Sequence, residues 1–221
     1  MIKKILGVVA AMTLATPAVA KDPTVLHYSN EAMGCMILRE CKEDVEKVYS
    51  IGDLISYYPD SDFSAIASEF NQLLVSLDQI GVEVFLGPAH YFPAMTRGSY
   101  HTVTNNFYLN KAFMHRPHVL MSVMRHEGWH AAQDCMAGSI KNSMIAIIKP
   151  EESVPPIWRE MVEKSYPKSA VPWEAEATWA GKTEGMTQKA LKSCAAGTMW
   201  TDYEPTPLTK KWLQEEGFIA K

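Results

Sequence analysis

The chain has 221 residues, of which 47% are apolar and 21% charged: enough for one domain with a sizeable core, and not the make-up of a disordered or polytopic membrane protein. The formal charge is −4, and the body is more acidic still once Lys3 and Lys4 near the start are set aside. That balance argues against a nucleic-acid or anionic-membrane partner held by bulk electrostatics.

Residues 1–20 run from Lys3 and Lys4 through an apolar stretch, Ile5 to Leu14, to a small-x-small exit at Ala18-Val19-Ala20. This is the layout of a secretory signal, with cleavage expected after Ala20, and Pro17 and the short apolar run speak against a membrane anchor. The expectation is an exported protein, secreted or periplasmic, whose single domain is residues 21–221. All four cysteines, Cys35, Cys41, Cys135 and Cys194, fall in the exported part. Three connectivities are possible; the favoured one is Cys35–Cys41 with Cys135–Cys194.

Residues 29–49 read as a helix with Ser29 or Asn30 at its N-cap. Phe63, Ile66, Phe70, Leu73, Leu74, Leu77 and Ile80 form one helical stripe, with Asp62 to cap its start and Gly81 its end. Val82 to Leu86 reads as a strand stopped by Gly87-Pro88. In Tyr100–Asn110, β-branched and aromatic residues flank Asn105-Asn106, which reads as a hairpin or a strand with a turn. Pro117 opens the next helix and Gly138 closes it. Further helices are expected at 156–165, 172–183, 186–196 and 207–216. The fold class that follows is α+β, mainly helical, with a small β-sheet beside the helix that begins at Pro117.

That helix carries His126-Glu127-Gly128-Trp129-His130. Two imidazoles four residues apart lie one above the other on a helix face and can reach one ion. Glu127 is rotated about a hundred degrees from His126, placing its carboxylate beside the ion, where a base can take a proton from activated water. With 7 His among 221 residues, chance yields only about 0.02 such patterns in a chain of this length. A third ligand has to come from elsewhere. Pro172-Trp173-Glu174-Ala175-Glu176-Ala177-Thr178 offers two carboxylates at the start of a helix rich in small residues, which lets helices approach closely. Two carboxylates two apart point in different directions, so one of them is expected to ligate.

These residues resemble a zincin metallopeptidase of the gluzincin branch. His126–Gln133 is similar to the H-E-x-x-H-x-x-Q form, and Glu174–Thr178 to an E-x-E-A-[D] segment. The resemblance implies a zincin-like fold, a zinc ion held by His126, His130 and Glu174, and Glu127 as the catalytic base. It leaves Glu176 as a substrate-facing or structural neighbour. Thr178 departs from the Asp that commonly supports a ligating histidine, and Asp134, four residues after His130, is the candidate replacement. A sheet edge that binds extended peptide is also implied, with Tyr100–Asn110 as its candidate. Tyr166, His101 and Arg97 are candidates to stabilise the transition state. Gly128 costs about 1 kcal/mol in mid-helix, which a close neighbouring backbone would explain.

The leading expectation is an exported zinc-dependent peptidase acting on a peptide or protein substrate, with no nucleic-acid partner and no stable membrane anchor after signal cleavage. The alternatives are a non-catalytic zinc-binding or protein-binding domain on the same scaffold, and a disulfide-stapled domain without metal.

Overall fold

A computed structural model describes Cys35 and residues 43–220. The expected leader, most of the 29–49 helix, and Cys41 lie outside the described residues. The architecture is α+β and mainly helical, with one four-stranded mixed sheet.

The sheet comprises β1 (Glu46–Lys47), β2 (Glu83–Gly87), β3 (Gly98–His101) and β4 (Asn106–Asn110), in the order β1-β2-β4-β3. β2 and β4 run parallel, and the other two pairings are antiparallel. β1 overturns the C-terminal end of the expected 29–49 helix. Asp44 adopts a positive φ of 55°, and Glu46 and Lys47 beyond it pair with Leu86 and Phe85. Ion pairs from Lys47 to Glu83 and from Lys111 to Glu46 tie this short strand down. The hairpin forms as expected, with Asn105 at φ 55° in the turn. Only its first strand, β3, lies at the sheet edge; β4 is interior, so the edge expected over Tyr100–Asn110 narrows to Gly98–His101.

Eight α-helices lie among the described residues: α1 (Ile51–Tyr57), α2 (Ala67–Gln79), α3 (Pro117–Met136), α4 (Pro156–Val162), α5 (Val171–Gly181), α6 (Met186–Ala195), α7 (Met199–Asp202) and α8 (Pro207–Glu215). α2 starts later than its apolar stripe, because Asp62 Oδ1 accepts from Ser64 N and caps a turn before the helix. Its Phe70, Leu73, Leu74 and Leu77 are buried, and Gly81 ends it at φ 85°.

α3 is the central element. Val119, Leu120, Met121, Val123, Met124, Trp129, Ala131 and Ala132 are buried around it, and α2, α5, α6 and β3 pack against it. Arg125 clamps Glu69 of α2 through two nitrogens. The Cys135–Cys194 disulfide joins its end to α6. Cys35 is disulfide-bonded as well, and no described cysteine is free. None of the described helices is long and apolar enough to cross a membrane.

Two glycines set the helix spacing. A Cβ on Gly181 of α5 would sit 3.0 Å from Ser122 O and 3.3 Å from His126 Cβ. A Cβ on Gly128 would meet the Thr187 methyl of α6 at 3.0 Å, so the neighbour that excludes a side chain there is a methyl group, not a backbone.

Candidate metal centre

α3 and α5 meet where His126, His130 and Glu174 converge. The imidazole Nε2 atoms are 3.2 Å apart, and Glu174 Oε2 lies 3.3 Å from that of His126 and 3.7 Å from that of His130. A point equidistant from three atoms so spaced is about 2 Å from each, the bond length of zinc to imidazole and carboxylate. Tetrahedral ligands at that bond length stand about 3.3 Å apart, so the triangle has the dimensions of three corners of such a site. Glu174 Oε2 is buried and makes no hydrogen bond of acceptable geometry among the described residues, despite its closeness to both rings. A buried carboxylate oxygen that lies beside two imidazole nitrogens without a hydrogen bond to either is a group that a shared cation would satisfy.

The three side chains keep 12–19% of their surface exposed, although Glu174 Oε2 itself is buried. Among the described residues, these three form the one cluster of His, Cys, Asp and Glu with metal-holding geometry. The donor set of two nitrogens and one oxygen suits zinc.

Charge and burial act in opposition here. Burial alone would lower the His130 pKa, but Glu174, Glu127 and Gln133 outweigh it and hold the imidazole up to about 9 without a metal. Burial would raise the Glu174 carboxyl, yet the two imidazoles keep it well below the usual carboxylate range. A divalent cation held there would take over the role of those protons.

Searches against family models, curated proteins and solved structures return no match. The functional reading rests on the site itself.

Glu127 is buried beside the pair, and its Oε2 accepts from the backbone N–H of Tyr100 on β3 at 2.9 Å. Gly98 makes this approach possible: a Cβ there would lie 2.4 Å from Val123 Cγ1 and 3.2 Å from Glu127 Cγ. The edge strand therefore runs directly over the helix that carries the histidines.

His130 Nδ1 lies 2.8 Å from Gln133 Oε1, so Gln133 takes the supporting position expected of Asp134. Asp134 instead accepts from the Tyr100 hydroxyl at 2.8 Å. At i+4 it follows His130 along the helix, but the tip of Tyr100 reaches it first. Glu176 is fully buried and accepts from Trp129, Gln133, Ile148 and Lys149, which makes it structural and removes it from any substrate-facing role.

Of the three transition-state candidates, only Tyr166 comes to the site. Burial, together with the nearby Glu174 and Glu127 carboxylates, raises its pKa, and its hydroxyl interacts with Glu174. His101 projects to the opposite sheet face, because strand side chains alternate and Tyr100 faces α3; its ring packs edge-on against Tyr108 at 5.7 Å. Arg97 stacks over Phe113, with its guanidinium 5.8 Å from the ring centre. A groove of about 1120 Å³ lined by Ile145, Ile147, Trp173, Leu208 and Trp212 touches neither the histidines nor Glu127, so the centre is not the floor of that groove.

Gln133 belongs to the H-E-x-x-H-x-x-Q pattern, yet its place behind His130 appears only in the structure. The signal was its i+3 spacing from His130.

Proposed function

We propose that the protein is an exported zinc-dependent peptidase. The observation that carries the reading is the triangle of His126 Nε2, His130 Nε2 and Glu174 Oε2, sized for zinc, with the Glu127 carboxylate near enough for its charge to act on His130. Zinc bound there supplies Lewis acidity and brings the pKa of water towards neutrality. Glu127 is the proton acceptor. The Tyr100 amide anchors its Oε2 and leaves the carboxylate's other oxygen to receive the proton from attacking water. Tyr166, whose hydroxyl interacts with Glu174, is the donor assigned to the developing oxyanion on this reading.

A peptide substrate is favoured by β3. It is the last strand of the sheet on that side, and an extended chain added to it lies across Glu127. Export is favoured by the segment from Lys3 to Ala20, and the Cys135–Cys194 disulfide suits an oxidising compartment.

Glu127→Gln tests the reading. The variant is expected to keep one zinc per chain by elemental analysis and to lose at least about 100-fold in cleavage of a peptide library, the size of a general-base contribution. Wild-type turnover by Glu127→Gln would refute the assigned base. Zinc binding by a wild type that cleaves nothing would favour a non-catalytic zinc domain.

A further inference from the structure

The hydrogen bonds behind His130 form a directed chain. Glu176 Oε2 accepts from Trp129 Nε1 at 3.1 Å, from Gln133 Nε2 at 2.8 Å and from Ile148 N at 3.1 Å, and its Oε1 accepts from Lys149 N at 2.5 Å. Gln133 Nε2 also reaches Trp173 O at 3.2 Å. The indole and the two backbone amides can only donate, and the Trp173 carbonyl can only accept. The Gln133 amide therefore has one satisfiable orientation. Its nitrogen faces Glu176 and Trp173, and its oxygen faces His130 Nδ1 at 2.8 Å. Turned over, its oxygen would meet two acceptors and its nitrogen would compete for the Nδ1 position, leaving buried groups unpaired.

We propose that Glu176 is a positioning residue for the metal centre: acting through Gln133, it keeps the His130 proton on Nδ1 and the lone pair of Nε2 turned towards Glu174 and His126. The inference rests on the zinc reading above and extends it to a buried carboxylate that touches neither metal nor substrate. It accounts for a glutamate at this position. Four N–H donors surround its two oxygens, and an amide could accept on only one side. It also gives Trp129, inside the histidine motif, a task beyond core packing, since its indole helps hold the carboxylate in register. Through Ile148 and Lys149 the same carboxylate ties the segment after α3 to the centre.

The test combines zinc affinity with nuclear magnetic resonance on the full-length protein. In the zinc-bound wild type, a slowly exchanging His130 Nδ1–H signal is expected, together with proximity of the Gln133 amide protons to the Trp129 indole N–H. Chelator competition should show Gln133→Met and Glu176→Met each weakening zinc binding by about 10–100-fold, the usual effect of removing a partner behind a ligand. The double variant should be no weaker than the worse single one, because both residues act on one path. Losses that multiply in the double variant would overturn the proposal, as would a Glu176→Met protein that is less heat-stable but binds zinc normally. If Glu176→Met fails to fold, the wild-type amide orientation decides: amide protons near His130 instead of Trp129 would contradict it. A wild type that binds no zinc overturns the metal reading itself, whereas unaffected variants of a zinc-binding wild type overturn this proposal alone.

Discussion

Asp134 shows how far one residue's role depends on its neighbours. Burial pushes its carboxyl up to about 7, against the pull of the Tyr100 hydroxyl on Oδ2, while Oδ1 has no hydrogen-bond partner among the described residues. In the unfolded chain the same group titrates near 4, about the ordinary value. Between those values the folded state holds the extra proton, so stability falls as pH rises from about 4 to about 7 and levels off above. Asp134→Asn puts an uncharged side chain in the same place. In the metal-free protein the difference in melting temperature between Asp134→Asn and wild type should be smallest below about pH 4 and should grow in favour of the variant up to about pH 7. A difference that does not change with pH would show that the buried charge is not the cause. The histidine pair was readable from spacing alone, because four residues on a helix fix a geometry. The choice between Glu174 and Glu176 was not. It came from a resemblance, and the structure supports it through the distance between helices, which no local pattern encodes.

Among elements, the packing of α5 on α3 decides whether the third ligand arrives. Ala175, Ala177, Ala180 and Gly181 are buried along α5, and the small residues seen in the sequence do permit the close approach. Gly181→Ala would press on Ser122 O and His126 Cβ, moving α5 away from the histidines. Sites of this kind tolerate only about 0.5 Å of displacement, so zinc affinity should fall by about 10-fold. Gly128→Ala presses on Thr187 of α6 instead and should leave zinc affinity near wild type, so chelator competition on the two variants separates the interfaces. Equal affinities in both would mean that α5 does not set the ligand distance. Long amphipathic helices were readable for the usual reason that periodicity accumulates over several turns. The short elements were not. α1 depends on a capping box in which Ser50 Oγ accepts from Gly52 N and Asp53 accepts from the Ser50 amide. β1 is two charged residues held by pairing and ion pairs that no sequence window contains.

At the scale of the molecule, one helix organises the fold: α3 carries both histidines and Glu127, supports the edge strand through Gly98, and is bonded covalently to α6. The Cys135–Cys194 bridge spans 59 residues, and closing a loop of that length contributes about 4 kcal/mol by restricting the unfolded chain. The bridge and the proposed ligand set both join α3 to the segment 174–194, so zinc bound there would stabilise the same half of the fold as the disulfide. The most direct test is X-ray absorption at the zinc edge of protein loaded with one equivalent of zinc. Two imidazole nitrogens and two oxygens at about 2.0–2.1 Å are expected, one oxygen from Glu174 and one from solvent. A sulfur shell, a third imidazole, or a protein that does not retain zinc would contradict the account.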